Sequence, residues 1–398
     1  MSTMMKAAPG RISVCHIASG ERWAGAEAQV ATVLQALARR SDVRVCAVVL
    51  NEDRLAQEIR AAGIDLAVFP RKENSFWRTY SRACHFLKHR NVQVLHSHRY
   101  KENLLALLIK MRLGNPALVR TQHGNPEPGG LKHRLVYRID RATGSRVAKV
   151  ISVSSHLQSY LLTYLRTSQV ALIRNGIDLN SIRSNLSRTE AKLKLGIAPA
   201  SPTVGIVARL DAVKRHDIFL RTAKEIVQKV PDAKFVIAGA GLQRSEIATL
   251  SDALNLSEQV VFLGHRNDAC DVFRAMDVML VTSDHEGLPM SVLEAMALGT
   301  VVVSRKVGGI PEVIQDGLEG LLIDSSEPAS LADACVRVLR DDQCRDRMVT
   351  AARNKVVREF SADANAEQLV HLYRTIISHG TFSTSFATVR PAAASDRH

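Results

Sequence analysis

Two carboxylates, Glu286 and Glu294, flank the predicted start of a helix and could together grip one polar molecule. The apolar run 278–282 reads as a buried parallel strand, Pro289 suits the first position of the helix, and Gly299 suits its C-terminal stop. Glu286 then lies in the loop and Glu294 on the helix, while free backbone N–H groups between them can face an anion. This spacing suggests a ligand with both hydroxyls and phosphate, which is the layout of a nucleotide sugar.

A pair of cations upstream favours this interpretation over a simpler one. Acids near a helix N-terminus are stabilised by the helix dipole alone, so the two glutamates could be ordinary residues of a helix start. Arg209 and Lys214, however, follow the predicted strand 203–207 and precede an amphipathic helix. Two cations at the carboxyl end of a strand can clamp a pyrophosphate. Paired acids and paired bases together predict a site for a sugar diphosphate.

The elements that carry these residues alternate apolar runs with helical patterns, which is typical of parallel sheets wrapped by helices. The predicted strands of the first half are 12–18, 43–50, 66–69, 92–96, 117–121, 150–153 and 170–173. The pattern restarts with strands at 203–207, 235–238, 260–263, 278–282, 300–304 and 320–323. We therefore predict an α/β protein of two Rossmann-like, doubly wound domains, 1–185 and 186–359, that face each other across a cleft. A dehydrogenase is disfavoured, because Gly239 and Gly241 follow a strand but Arg244 stands where a dinucleotide fingerprint needs its third glycine.

Composition indicates a folded protein with unevenly distributed charge. The 398 residues are 46% hydrophobic and 23% charged, which is typical of a globular chain. Residues 1–185 carry 28 Lys and Arg against 12 Asp and Glu, whereas residues 186–398 carry 25 against 27. An excess of base in one half is compatible with an anionic membrane or with nucleic acid, and charge alone does not separate the two.

The spacing of the cysteines and the length of the apolar runs indicate the cellular compartment of the protein. The six cysteines are scattered without a C-x-x-C pair, so the sequence predicts neither a zinc site nor a disulfide framework. The longest apolar run near the N-terminus, 14–18, is far shorter than the roughly 18 residues of a membrane span. We therefore expect a cytoplasmic protein.

With these residues in place, the chain resembles the retaining glycosyltransferases of family 4, which have the GT-B architecture of two facing Rossmann-like domains. The resemblance covers nearly the whole chain and rests on four motifs in the family's order. They are NGID at 175–178, the cation pair at 209–214, the E-x7-E motif at 286–294 and VGGIPEVI at 307–314.

The resemblance implies a role for each motif. Glu294 would bind the ribose of the donor, and Glu286 would contact the transferred sugar near its reacting carbon. Arg209 and Lys214 would neutralise the leaving diphosphate, so that neither a metal ion nor another cofactor is expected. The expected catalytic residues are His123, Glu286, Arg209 and Lys214. The expected donor-binding residues are Gly25, Arg209, Lys214, His265, Glu286, Gly287, Leu288, Pro289, Met290, Ser291 and Glu294.

A glycine and three histidines of the first domain are also expected at the cleft. Gly25 lies at the place of the family's glycine-rich first loop, although Ala24 replaces the first glycine of the usual pair. His123 ends a strand where family members place a histidine that faces donor sugar and acceptor. His96 and His98 end another strand, where they could contact the acceptor, serve the structure or, with a third ligand that the sequence does not reveal, bind a metal. We assign all three histidines to the acceptor side and expect no metal.

Two basic stretches of the first domain, 71–82 and 131–146, are candidates for contact with an anionic membrane. The first interleaves Phe76, Trp77 and Tyr80 with arginine and lysine, a composition that suits a lipid headgroup region. Both stretches could instead be solvated helix faces. Neither an RNA-recognition signature nor a zinc finger is present, so nucleic acid is not expected.

The sequence as a whole predicts a hexosyltransferase-like enzyme that acts in cell-surface polysaccharide or lipopolysaccharide biosynthesis. It would move a sugar from a UDP- or GDP-sugar to a lipid-linked or polysaccharide acceptor at the inner face of the membrane, and the resemblance implies retention of configuration. A sugar-nucleotide epimerase of the same fold and a catalytically silent nucleotide-sugar-binding protein are the alternatives. The resemblance also implies that a C-terminal helix, 360–378, packs back on the first domain, and we expect 380–398 to be a disordered tail.

Overall fold

Seven parallel strands form the first sheet in the described part of the computed structural model. The described residues are 10–20, 23, 25–70, 73–98, 100–114, 116–124, 138, 141 and 146–384. The strands are β1 (Ile12–Ala18), β2 (Val43–Val49), β3 (Asp65–Val68), β4 (Val94–Ser97), β5 (Ala117–Gln122), β6 (Lys149–Ser152) and β7 (Val170–Leu172), and their order across the sheet is β3-β2-β1-β4-β5-β6-β7. The helices described here are α1 (Gly25–Ala38), α2 (Arg54–Ala61), α3 (Phe76–Leu87), α4 (Tyr100–Arg112) and α5 (Ser155–Leu162).

A second parallel sheet, of six strands within residues 146–384, follows in the chain. The strands are β8 (Thr203–Val207), β9 (Lys234–Ala238), β10 (Val260–Gly264), β11 (Val278–Val281), β12 (Val301–Arg305) and β13 (Gly320–Ile323), in the order β10-β9-β8-β11-β12-β13. The helices are α6 (Arg188–Lys194), α7 (His216–Lys229), α8 (Arg244–Ala253), α9 (Ala269–Ala275), α10 (Met290–Leu298), α11 (Ile310–Val313), α12 (Pro328–Arg340), α13 (Asp342–Glu359) and α14 (Ala362–Thr384).

Burial on both faces explains why the strands read as continuous apolar runs. All four residues of β11, VMLV, are buried, as are all but one of the seven residues of β1. Parallel strands covered by helices on both sides have this composition. Every predicted strand is present, with ends that differ by at most two residues, and the predicted architecture of two doubly wound α/β domains is confirmed.

The strand order places a crevice at the edge of each sheet. The direction in which successive strands are added to the sheet reverses between β1 and β4 in the first sheet and between β8 and β11 in the second. In doubly wound sheets, ligands bind at the carboxyl ends of the strands where such a reversal occurs. His16 on β1 and His96 on β4 flank the first crevice. The loops that carry Lys214 and Glu286 follow β8 and β11 and flank the second.

The C-terminal helix returns to the first domain. Ile177 pairs with Ser361 in an isolated parallel bridge where the two crossing segments meet. Beyond it, Leu369 and Tyr373 of α14 lie in one apolar cluster with residues of α1, β1 and β4. Helix α14 continues to Thr384, so the first five residues of the predicted disordered tail are helical, and residues 385–398 lie outside the described residues.

Candidate functional site

The loop between β11 and α10 carries the acid expected to contact the sugar. Glu286 Oε1 accepts hydrogen bonds from Lys214 Nζ and from Ser283 Oγ, both at 2.6 Å. The hydroxyl of Thr282 donates to the backbone carbonyl of Lys214 at 2.8 Å, which joins the two loops directly. The predicted cation and the predicted acid therefore lie in contact.

Two glycines of the VGGIPEVI motif support this loop. A Cβ on Gly308 would lie 1.8 Å from the carbonyl oxygen of Glu286, and a Cβ on Gly309 would lie 2.1 Å from that of Gly287. The Gly309 N–H donates to the Gly287 carbonyl at 2.9 Å. Gly308 also has a φ of 56°, a region that favours glycine. The motif is thus the surface on which the Glu286 loop lies.

Helix α10 begins one residue later than the sequence predicts. Pro289, expected as its first residue, is extended with φ −71° and ψ 125° and precedes Met290, which opens the helix. The Leu288 carbonyl before it accepts a hydrogen bond from Asn175 Nδ2 of the first domain at 2.9 Å, and this contact fits an extended segment. Gly299 ends the helix in the left-handed region, as predicted.

Glu294 lies half-buried on α10. Burial raises the pKa of its carboxyl to about 7, because the charged form loses hydration. Among the described residues, no hydrogen bond or ion pair to Glu294 offsets this burial. A carboxyl in this state is suited to hydrogen bonding with a ligand hydroxyl.

The other expected donor contacts surround this loop. Arg209 pairs with Asp211 at 2.8 Å and keeps about a third of its side chain exposed. His265, one of the expected donor-binding residues, is exposed and follows Gly264, whose φ is 65°. At the start of α10, Ser291 is half-buried, whereas Leu288 and Met290 are buried.

The sequence analysis missed a charge network that braces the loop. Asp284 accepts from Arg305 at 2.6 Å and from Arg215 at 3.3 Å. Arg305 also donates to the carbonyls of Thr282 and Ser283, both at 3.2 Å. Single charged residues from three separate segments of the chain have no fixed spacing, so no sequence motif indicates them.

Residues of the first domain approach the same segment from the opposite side. A Cβ on Gly287 would lie 2.4 Å from the carbonyl oxygen of His123, and a Cβ on Gly25 would lie 3.7 Å from the side chain of Met290. Gly25 is the first residue of α1. The structure therefore brings His123 and Gly25 to the loop that carries Glu286.

Three further histidines lie behind His123. His98 Nδ1 is 3.2 Å from His123 Nε2, and His98 Nε2 is 3.0 Å from His16 Nδ1. His96 bonds instead to the Tyr373 hydroxyl at 2.5 Å and to Thr121 Oγ1 at 2.7 Å. His96 and His98, expected at the acceptor, are buried. The sequence signal that was missed is His16, a histidine inside the apolar run of β1.

His16 also supplies the third imidazole that the sequence did not reveal. One nitrogen each of His16, His96 and His98 lies within 4.8 Å of the others, close enough to be considered for a metal. Both nitrogens of His96 are hydrogen-bonded, however, and the rings of His96 and His98 are stacked with an interplanar angle of 22°. Stacked rings do not converge on one ion, so hydrogen bonding accounts for the cluster better than metal ligation does.

The two basic stretches are described unequally. On α3, Trp77 is 67% exposed and Phe76 is 41% exposed, and Arg82, which is also exposed, lies over the ring of Phe69 at 5.0 Å. Residues 71 and 72 lie outside the described residues, as does most of 131–146; Arg141 is described and lies 4.2 Å over the ring of Tyr164. Across the described ranges, no helix combines the length and hydropathy needed to span a bilayer.

Two facing Rossmann-like domains are the architecture of the GT-B class of glycosyltransferases. Residues 23–181 match the family described as "Glycosyltransferase Family 4", and residues 187–355 match "Glycosyl transferases group 1". The matches cover both domains. The chain therefore belongs to the group 1 and family 4 glycosyltransferases.

Curated relatives match over much of the chain. A D-inositol 3-phosphate glycosyltransferase of Corynebacterium urealyticum is 28% identical over 66% of this chain and 63% of its own length. The UDP-Gal:alpha-D-GlcNAc-diphosphoundecaprenol alpha-1,3-galactosyltransferase of Escherichia coli is 27% identical over 72% of this chain and 76% of its own length. The chain thus spans less than two thirds of the first relative and about three quarters of the second.

Solved structures share the fold. HepE of Anabaena in complex with UDP superimposes with a TM-score of 0.80 at 19% identity, over 92% of this chain and 100% of HepE. Sucrose-phosphate synthase of Thermosynechococcus elongatus gives a TM-score of 0.75 at 19% identity, over 93% of this chain and 100% of that protein. At these identities the likeness concerns architecture.

Proposed function

We propose that this protein transfers a sugar from a UDP- or GDP-sugar to a lipid-linked or polysaccharide acceptor, with retention of configuration. The contact between Lys214 and Glu286, next to the N-terminus of α10 and facing His123, carries the proposal. It places positive charge, a hydroxyl acceptor and free backbone N–H groups within one loop cluster. A nucleoside diphosphate sugar offers the complementary groups.

The chemistry follows from charge. As the bond between the sugar carbon and the diphosphate breaks, negative charge grows on the departing phosphate oxygen. Lys214, Arg209 and the N-terminus of α10 supply fixed positive charge and dipole there, which lowers the energy of the transition state. We therefore propose that the reaction requires no metal ion. Glu294 would hold the ribose and Glu286 the transferred sugar, and retention rests on the likeness to the family.

A lipid-linked acceptor is supported by two observations. The Escherichia coli relative acts, by its name, on a diphosphoundecaprenol-linked sugar. Trp77 and Phe76 are exposed on α3, in the more basic half of the chain. Amphipathic aromatics beside basic residues suit the headgroup region of an anionic bilayer. We propose that this helix docks on the cytosolic face of a membrane during synthesis of a cell-surface glycan.

Donor binding can be tested by a thermal-shift screen across UDP, GDP and their sugars. A ligand of the native state raises the melting temperature progressively with concentration. We expect a shift with one base and its sugars, and a smaller shift in Glu294→Ala, because charged hydrogen bonds worth about 1–3 kcal/mol are lost. Glu258→Ala, at an exposed acid, is the matched control. No shift with any nucleotide would contradict the proposed site.

Transfer is then measured as release of the nucleoside diphosphate with and without lipid-linked and polysaccharide acceptors. Acceptor-dependent release above hydrolysis supports a transferase. A silent binding protein would give the thermal shift without turnover. An epimerase would interconvert the sugar without release, and neither relative described above is an epimerase by name.

Membrane docking is tested by sedimentation with liposomes at low salt. We expect binding to rise with the fraction of anionic lipid and to fall in Trp77→Ala. Leu242→Ala is the matched control, because Leu242 is 88% exposed in the second domain. Equal binding to neutral and anionic liposomes, or equal binding by both variants, would argue against α3 as the docking element.

A further inference from the structure

A hydrogen-bonded chain leads from His123 into the interior of the first domain. His123 Nε2 lies 3.2 Å from His98 Nδ1, and His98 Nε2 lies 3.0 Å from His16 Nδ1. These residues stand at or near the carboxyl ends of β5, β4 and β1. The first two bonds therefore link three strands at the crevice of the first sheet.

The chain continues through a tyrosine of the C-terminal helix. His16 Nε2 lies 3.4 Å from the Tyr373 hydroxyl, which is 2.5 Å from His96 Nδ1. His96 Nε2 reaches Thr121 Oγ1 at 2.7 Å. His16, His96 and Tyr373 are all buried. Five successive bonds thus join His123 to Thr121 through groups that are shielded from water.

The bonds of such a chain must all have the same direction. Burial lowers the pKa of His16 to about 3 and the pKa of His96 well below its ordinary value, so both rings are neutral near pH 7. A neutral imidazole has one donor and one acceptor nitrogen. A ring that bonds through both nitrogens therefore donates on one side and accepts on the other. When His98 and His123 are neutral as well, the direction of one bond determines the tautomer of every ring, including His123.

The shortest bond indicates the direction. Hydroxyl donors make shorter hydrogen bonds than N–H donors, and the Tyr373 hydroxyl is only 2.5 Å from His96 Nδ1. The distance from His96 Nε2 to Thr121 Oγ1 is longer, at 2.7 Å, which is the order expected when Tyr373 donates to His96 and His96 Nε2–H donates to Thr121. Tyr373 in turn accepts from His16 Nε2–H at the longer distance of 3.4 Å. Continued outward, this direction makes His98 donate to His16, and His123 donate to His98.

We propose that this chain holds His123 as the tautomer protonated on Nε2, with Tyr373 and Thr121 as positioning residues. The lone pair is then on His123 Nδ1, which is buried in this structure and would accept a hydrogen bond from a sugar hydroxyl only where the bound donor reaches it. Only this use of His123 rests on the proposed function; the tautomer does not. Because Tyr373 belongs to α14, docking of the C-terminal helix is coupled to the state of a residue at the cleft.

The tautomer can be observed directly in the full-length protein labelled with 15N-histidine. Ring 15N–1H correlation spectra distinguish the two tautomers, and a His123→Gln variant identifies the His123 signals among the 14 histidines. We expect wild-type His123 to be protonated on Nε2. Tyr373→Phe keeps the buried ring but removes the hydroxyl, and should give a mixture of tautomers. Thr121→Val removes the acceptor for His96 and should shift His123 toward protonation on Nδ1.

Two substitutions serve as matched controls. Thr121→Ser keeps the hydroxyl, and Tyr160→Phe removes the hydroxyl of a half-buried tyrosine on α5; neither should change the His123 signals.

Transfer assays give a second measurement. Tyr373→Phe and Thr121→Val should lower kcat by about tenfold or more while the donor KM stays within about twofold. The reason is that a misoriented His123 weakens the transition state more than it weakens binding of the donor.

The outcomes separate this inference from the proposed function. Wild-type His123 protonated on Nδ1, or His123 signals unchanged in folded Tyr373→Phe and Thr121→Val, would overturn it. Expected spectra in a protein that transfers no sugar would support the tautomer and refute the transferase. Should Thr121→Val fail to fold, the comparison of Tyr373→Phe with Tyr160→Phe decides alone.

Discussion

At the scale of single residues, the contact of Lys214 with Glu286 joins two opposite charges that would both meet the donor in the proposed function. Nζ and Oε1 are 2.6 Å apart, and each side chain is less than a fifth exposed. Shielded charges need partners. A sugar diphosphate would bring negative charge to Lys214 and hydroxyls to Glu286, so that both groups keep a partner when the donor binds.

Substitution of Lys214 tests this assignment. Lys214→Met keeps the length of the side chain and removes the charge that meets the departing phosphate. We expect kcat to fall by about 10²–10³-fold, as when one preorganised electrostatic contact is lost, with a smaller change in KM. Arg221→Met, at an exposed position on α7, should leave the kinetics unchanged. A fully active Lys214→Met would remove this residue from the mechanism.

Glu294 makes stability depend on pH. Its pKa is raised by burial from 4.5 to about 7, so the folded protein retains a proton that the unfolded chain releases. Stability from this group is complete below pH 4.5 and is lost as the pH rises to about 7. Glu294→Gln, which mimics the protonated form, should therefore resist urea better than wild type at pH 8, by about 1 kcal/mol after allowance for partial exposure.

Urea denaturation at pH 4.5 and pH 8 checks this expectation. Wild type and Glu294→Gln should differ at pH 8 and approach each other at the lower pH. Glu258→Gln, at an exposed position, is the control and should follow wild type. The same pH dependence in Glu294→Gln and wild type would contradict a raised pKa at Glu294.

At the scale of elements, a turn from one part of the second domain shapes a loop from another. Gly308 and Gly309 precede α11, yet they contact the backbone of Glu286 and Gly287, which precede α10. Both loops stand at the carboxyl ends of adjacent strands, β11 and β12. The functional loop is therefore held by backbone contact from its neighbour.

An alanine at Gly308 should displace the Glu286 loop. Its Cβ would lie 1.8 Å from the Glu286 carbonyl oxygen, far inside contact distance, and φ there is 56°. Gly317→Ala is the matched control, because Gly317 has a φ of 77° but nothing within 4 Å of a Cβ. Left-handed strain costs about 1 kcal/mol in both. We expect Gly308→Ala alone to lose donor binding by calorimetry; equal donor affinity in the two variants would contradict the contact.

At the scale of the whole molecule, the C-terminal helix makes the first domain depend on the last part of the chain. Leu369, Val370 and Tyr373 of α14 join the apolar cluster of β1, β4 and α1. Arg39, directly after α1, also pairs with Asp178, in the first crossing segment, at 3.0 Å. Both crossing segments thus contribute contacts to the first domain.

Leu369→Ala should weaken the first domain selectively. Leu369 is buried in that cluster, and loss of a buried leucine side chain costs about 2–5 kcal/mol. Hydrogen exchange should accelerate in β1, β4 and β5 while β8 and β11 remain protected. Leu331→Ala, buried on α12 in the core of the second domain, should give the reverse pattern. Uniform acceleration in both sheets would show that the domains unfold as one unit.

Particular residues show which features of the structure could be predicted from the sequence. Buried parallel strands have an apolar composition over their whole length, so every strand was predictable to within two residues. The position of Glu286 and Lys214 at one edge of the second sheet was predictable from the strands they follow. The start of helix α10 was predicted one residue too early, at Pro289, which is extended in the structure. The Leu288 carbonyl before it accepts a hydrogen bond from Asn175, and a contact between residues 113 positions apart is not visible in a local sequence pattern.

The amino-acid sequence by itself determined the two doubly wound domains and the residue types at their ligand edges, because strand burial and helix periodicity are local patterns. Only the tertiary structure decided which of these residues meet. It set Gly308 under Glu286 and joined His123, His98, His16 and Tyr373 in one chain. Such contacts link strands and helices that are distant in sequence, and their geometry depends on the packing of whole elements, which no local pattern encodes.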